Sequence, residues 1–193
     1  MIKTSFLSGL LLFFLLPLLA QDSTIKSWWN PAKATMQVLE GRGWTDGEPY
    51  ARLPLKAKAA VTPEVWDLSR QAAGLMLRFK TNSPEISIRY QVERPVALPH
   101  MPATGASGVD LFYYTSSGKE LWAAGKWSFK DTIEYNFTKL QPNADGEYRL
   151  YLPLYNVVKW MEIGTRQGTV FTPLPARKEK PIVIYGTSIA QGA

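Results

Sequence analysis

The sequence contains no cysteine and only one histidine, His100. The missing cysteine rules out a disulfide framework and any thiolate metal site. It also removes the residue that would carry a lipid anchor after a signal cut. Concentrated positive charge is missing too. The formal net charge is +6, but there is no basic helix and no long Lys/Arg run. Lys56 and Lys58 are spaced by alanine, and Arg177-Lys178-Glu179-Lys180 is a short mixed cluster. A nucleic-acid binder would carry a dense patch interleaved with aromatics, so no nucleic-acid partner is expected. No helical period runs beyond two turns before the end of the chain, and no repeat of solenoid length is visible.

One apolar run stands at the start. Phe6 to Leu16 is interrupted only by Ser8 and Gly9, follows Lys3, and is ended by Pro17. This reads as a secretory signal peptide over residues 1–20, cut after Ala20. The run is short for a transmembrane span. The product is therefore expected to be secreted or periplasmic, with no stable membrane anchor after cleavage.

Aromatic residues are plentiful, with 7 Trp, 9 Tyr and 8 Phe, and apolar residues make up 46% of the chain, ample for a folded core. From Gly74 the pattern has period two. Leu75, Leu77 and Phe79 alternate with Met76, Arg78 and Lys80. Thr81-Asn82-Ser83-Pro84 is a turn, and Ile86, Ile88, Tyr90 and Val92 then alternate with Ser87, Arg89 and Gln91. Further strands are expected over Gly108–Thr115, Leu121–Trp127, Ile133–Phe137, Tyr148–Leu152 and Val157–Ile163, and a short one over Tyr50–Pro54. Seven or eight short strands with frequent turns indicate an antiparallel, jelly-roll-like β-sandwich over residues 21–171. Thr62-Pro63-Glu64 carries helix-start chemistry for one or two turns before Ser69. The pair Trp28-Trp29 suits either a sugar-stacking platform or packing, and packing is favoured. Asn136-Phe137-Thr138 is a glycosylation sequon in a strand context that makes it incidental.

Pro95 to Ser107 interrupts the strand pattern with three prolines, Gly105 and His100. Long irregular loops in compact domains are often functional. His100 is read as a structural residue that also has the option of lining a substrate cleft. Asp110, at the strand beside this loop, needs partners, and is read as accepting hydrogen bonds from loop N–H groups. Thr172 to Lys180, with two prolines and mixed charge, reads as an exposed, semi-rigid linker.

The last stretch, Pro181 to Gly192, differs from all that precedes it. Ile182-Val183-Ile184-Tyr185 is apolar on both faces, as in a buried parallel strand. Gly186-Thr187-Ser188 follows, where such a strand would turn into a helix. A serine there has an exposed hydroxyl beside unpaired backbone N–H groups, the requirements of a nucleophile with oxyanion donors.

Gly186-Thr187-Ser188-Ile189-Ala190-Gln191-Gly192 resembles the first block of the SGNH/GDSL hydrolases, with Thr187 where that block has Asp. Gly108-Val109-Asp110-Leu111-Phe112 resembles the Gly-x-Asp-Leu-Tyr signature of the accessory domain that precedes the catalytic domain in one SGNH-type esterase family, with Phe112 in place of Tyr. The preceding Pro99–Gly105 is similar to that domain as well. The resemblance implies that Ser188 is the nucleophile and that its own N–H is one oxyanion donor, supported by Gly186, Thr187 and Gly192. It implies an exported carboxylic ester hydrolase acting through a serine acyl-enzyme. The substrates would be acyl or acetyl esters, including acylated carbohydrates, with no metal or organic cofactor.

The resemblance also implies that residues 181–193 are only the first strand and helix start of an α/β hydrolase domain that the sandwich would contact. Its remaining oxyanion residues and its late Asp and His are missing from the chain, so this chain alone is expected to be nearly inactive. The serine block also resembles a subtilisin-type motif and an α/β-hydrolase elbow, but a sandwich rather than βα units precedes it. The alternative is a non-catalytic β-sandwich module that binds glycans or another partner.

Overall fold

The computed structural model describes residues 26–140, 146–179, 182, 184, 186 and 188–191. The expected signal peptide, and Thr187 and Gly192 of the serine block, lie outside them. Among the described residues the period-two segments form eleven strands. They are β1 (Lys26–Trp29), β2 (Leu39–Glu40), β3 (Met76–Thr81), β4 (Ile86–Val92), β5 (Asp110–Tyr114) and β6 (Glu120–Trp122), then β7 (Gly125–Phe129), β8 (Ile133–Phe137), β9 (Glu147–Tyr151), β10 (Val158–Arg166) and β11 (Phe171–Pro173). Three short helices join them: α1 (Pro63–Ser69), α2 (Ala103–Ser107) and α3 (Ser188–Gln191). Thr62 caps α1 by accepting from the Val65 N–H, as its Thr-Pro-Glu start requires.

Every strand pairing is antiparallel. Sheet one has the order β1-β10-β4-β8-β7, and sheet two the order β11-β3-β9-β5-β6, with β2 on β3. The chain crosses repeatedly between them. Asn82–Glu85 is such a corner rather than a hairpin, because β3 and β4 belong to different sheets. Side chains hold the corner: Ser83 Oγ donates to the Glu85 carbonyl and accepts from the Arg166 N–H. Asn82 Oδ1 accepts from the Val170 N–H.

The two inner faces form one core. Ile86, Ile88, Ile133, Met161 and Ile163 of sheet one meet Leu77, Phe79, Leu111 and Leu150 of sheet two, all essentially inaccessible to solvent. Each such side chain contributes about 1.5–3 kcal/mol when removed from water.

The strand boundaries differ from the sequence pattern in three places. Tyr50–Pro54 is not a strand. Tyr50 and Ala51 are buried, but Arg52 wraps the end of α1, its N–H donating to Ser69 O and its Nε to Gln71 O. Leu121–Trp127 is two strands, β6 in sheet two and β7 in sheet one, split where Ala123 and Ala124 cross between the sheets.

The third correction concerns the segment expected as an exposed linker from Thr172. It begins inside β11, and its next residues stay on the sandwich. The Leu174 N–H donates to Arg78 O and the Ala176 N–H to Gln37 O. Aromatic packing explains the attachment: Phe171 lies 5.1 Å from Phe79 and 5.2 Å from Trp29 between ring centroids. Trp29 thus packs against the core. Trp28 covers the outer face of sheet one, where the Arg89 guanidinium stacks 3.9 Å from its ring. A Cβ at Gly164 would come within 2.7 Å of that indole, so glycine makes room for Trp28.

Candidate functional site

Ser188 opens α3, a single helical turn. Gly186 precedes it, and a Cβ there would meet the Ala190 Cβ at 2.6 Å, so the tight entry needs glycine. The strand expected from Ile182 is not present at its two described positions. Ile182 and Ile184 belong to no strand and are 93% and 80% exposed. A parallel strand needs neighbours on its edges and cover on both faces, and the described residues supply neither here.

α3 is nevertheless held. Gln191 Nε2 donates to Gln71 Oε1 at 2.5 Å and to the Leu154 carbonyl at 2.8 Å. Gln71 is itself buried, at 4% exposure, so the block is anchored on a polar group inside the sandwich wall.

The same wall fixes the Pro95–Ser107 loop. Asn156, 1% exposed, stands two residues beyond Leu154. Its Nδ2 donates to Arg94 O, Pro95 O and Ser107 Oγ at 3.2, 3.1 and 2.9 Å. Its Oδ1 accepts from the Arg94 and Val157 N–H groups. Ser107 Oγ donates to Val96 O, and the Tyr90 hydroxyl donates to Ser107 O at 2.6 Å. Burial, with the Tyr135 and Asp110 charges adding to it, drives the Tyr90 pKa far above the usual tyrosine range. It is therefore a permanent donor in this network. The irregular segment closes with α2, whose Ala106 carbonyl accepts from the Tyr155 N–H.

His100 and Asp110 take no part in the hydrogen bonds that hold α3 on the sandwich. His100 is exposed in the tight turn between the bridged pair Leu98 and Met101. Asp110 is exposed at the start of β5, and Oδ1 accepts from Trp122 Nε1 of β6 at 3.2 Å. The expectation that Asp110 pins the loop is therefore corrected: Asn156 pins the loop, and Asp110 orients an indole. Asn156 went unnoticed in the sequence, although a lone amide between Leu154-Tyr155 and Val157-Val158 is the signal of a buried polar hub.

The segment Gly108 to Phe112 has a physical reason at each residue but one. A Cβ at Gly108 would lie 2.2 Å from Thr104 O and 2.7 Å from the Tyr135 hydroxyl oxygen, so only glycine lets α2 pass this close to sheet one. That hydroxyl accepts from the Val109 N–H, but burial dominates and pushes the Tyr135 pKa up to about 12. Leu111 is fully buried in the core. Phe112 lies on the outer face with its ring centroid 5.7 Å from that of Tyr151.

An ion network secures the route from the sandwich to the serine block. Arg78 bridges Glu147 at 2.6 Å and Glu40 at 3.1 Å, and Arg177 adds a bidentate contact to Glu40. Burial disfavours the charged form of Glu40, but the hydrogen bonds from Arg177 and Arg78 outweigh it and hold the pKa below the usual carboxylate value. Glu147 follows the same pattern, with Arg78 and Arg149 as its donors. Among the described residues no cluster of three or more His, Asp or Glu is placed to hold a metal. No helix among them is long and apolar enough to cross a membrane.

The fold has close counterparts. The crystal structure of a "putative GDSL-like lipase from Bacteroides ovatus" superposes with a TM-score of 0.77 at 29% identity, covering 88% of this chain and 49% of that one. The chain thus spans about half the length of that protein. The salicylyl-acyltransferase SsfX3 from a tetracycline biosynthetic pathway shares the fold, with a TM-score of 0.52 at 17% identity over 80% of this chain and 42% of its own. No curated protein matches the sequence. A family model describing the GxDLY domain, the N-terminus of SGNH-hydrolase-type esterases, matches residues 26–171. The residues that match that model are the two sheets and the Gly108–Phe112 segment whose packing is set out above, and the chain belongs to this family.

Proposed function

We propose that this chain is the accessory sandwich and nucleophile block of an exported SGNH-type carboxylic ester hydrolase. One observation carries the reading: a sandwich of the GxDLY family is followed at once by Gly186-Thr187-Ser188 at the start of a helix docked on it. In this reading the Ser188 hydroxyl oxygen attacks the ester carbonyl carbon. The Ser188 N–H is one donor to the oxyanion of the tetrahedral intermediate. The alcohol leaves with a proton, and water then releases the carboxylic acid from the acyl-serine. The base and the remaining oxyanion donors belong to a hydrolase domain that follows, and the sandwich packs against it around Gln71 and Leu154. The substrate class is small acyl esters, acetylated carbohydrates included. Residues 1–20 direct export to the periplasm or the exterior. No cofactor takes part.

Sequencing the coding DNA through and beyond Ala193 is the first test. A frame that continues into a domain with a Gly, an Asn and a late Asp-x-x-His supports the reading. Hydrolysis of p-nitrophenyl acetate by that protein should then vanish with Ser188→Ala. Activity retained in that variant, or a stop codon directly after Ala193, overturns the assignment of Ser188.

A further inference from the structure

The outer face of sheet two carries an aromatic row that the core does not use. Trp122 of β6 is 60% exposed, although burying an indole is among the larger gains available to a fold. Its register partner is Phe112 of β5, and Phe112 in turn faces Arg149 of β9. The ring is not loose. Its N–H is held by Asp110 Oδ1 at 3.2 Å, and Asp110 is itself exposed, with acceptor capacity left for a ligand. The Arg149 guanidinium stacks 3.7 Å from the Tyr114 ring beside them.

We infer that Trp122 and Asp110 form a carbohydrate-binding subsite. The indole face would stack on the C–H face of a sugar ring, Asp110 would accept a sugar hydroxyl, and Arg149 would donate to a ring or hydroxyl oxygen. The surroundings favour a sugar over a protein surface. The face continues into the Arg149–Glu147–Arg78 ion network. A protein partner covering the indole would have to desolvate the exposed Asp110 carboxylate beside it at a cost, whereas a sugar hydroxyl pairs with it.

The placement also suits an acylated glycan. Asp110 pairs in register with Tyr151. Leu154, whose carbonyl holds α3, is three residues further along, a reach of about 10 Å at most. That link to the serine block rests on the esterase reading. Sugar binding by Trp122 does not.

The test titrates the full chain with xylo-, cello-, manno- and chito-oligosaccharides, each with and without O-acetyl groups, by calorimetry and tryptophan fluorescence. Saturable binding to at least one sugar is expected, weakened by about tenfold or more in Trp122→Ala, a loss of roughly 1.4 kcal/mol. Asp110→Asn should weaken it less, Trp122→Phe should retain part of it, and Ser188→Ala should leave it unchanged. That last arm separates this inference from the esterase assignment, which fails or stands on Ser188 alone. No saturable binding to any sugar, or binding indifferent to both Trp122→Ala and Asp110→Asn, overturns the inference. In a protein carrying the hydrolase domain, acrylamide quenching that is identical for the parent and Trp122→Phe would show Trp122 covered. The face would then be a domain contact, and the inference fails.

Discussion

Ile88 and Ile184 are the same residue in opposite circumstances: the first is 0% exposed and the second 80%. Ile88 sits in β4 between β10 and β8, with sheet two beneath it. Ile184 sits in a segment just as apolar, and no strand pairs with it among the described residues. An apolar segment becomes core only when partners exist on both edges and on its faces. The sandwich has those partners in its own chain. The serine block is held instead by a polar hook, Gln191 on Gln71 and Leu154.

The contrast can be tested from the largest effect down. Phe79→Ala removes a ring packed on Tyr148 and Phe171 in the sealed core, and should cost about 3–5 kcal/mol by urea denaturation. Ile184→Ala in the same assay should stay within about 0.5 kcal/mol. A large loss from Ile184→Ala would show that the segment is buried in solution.

Next is Asn156→Ala, which strips the Arg94 and Val157 N–H groups of an acceptor and three oxygens of their donor. It should cost about 2–3 kcal/mol and open the 95–107 loop to limited proteolysis. Gly108→Ala should follow at about 1–3 kcal/mol, because its methyl group collides with backbone at Thr104. Gly43→Ala, with nothing within 4 Å of its Cβ, should be near neutral in thermal melts.

The ion network gives a pH signature. Glu40 and Glu147 have folded pKa values below the ordinary 4.5, so they bind protons less readily folded than unfolded. Their contribution is fully present above about pH 4.5 and is lost as pH falls through their lowered folded values. Melting temperature should drop as pH falls below the ordinary carboxylate value of 4.5, and less steeply in Glu40→Gln. Gln71→Ala should act mainly on the serine block that Gln71 holds. Amide exchange of Ser188 to Gln191 should accelerate, while the core strands keep their protection.

Much of the sandwich was legible because period-two alternation survives wherever one face of a strand is buried and the other wet. Ile86-Ile88-Tyr90 and Ile133-Tyr135-Phe137 show it without interruption. β6 and β7 were fused in the sequence because the Ala123-Ala124 crossing carries no turn residue. β11 was hidden by Pro173 at its end and Pro175 just beyond it, which read as linker chemistry, although Phe171 had an aromatic pocket waiting. At the candidate site, the start of α3 at Ser188 was legible from its glycine and serine. The hook that docks it was not, because Gln71 and Gln191 lie 120 residues apart.

By itself the sequence determined the fold class and the α1 cap at Thr62, since these rest on local periodicity and side-chain chemistry. The tertiary structure alone decided which strands share a sheet, that Asn156 rather than Asp110 ties down the loop, and that Trp122 rather than Trp28 stands free in solvent. Those outcomes depend on which distant residues come into register, and no local pattern encodes which partner a strand, an amide or an indole will meet.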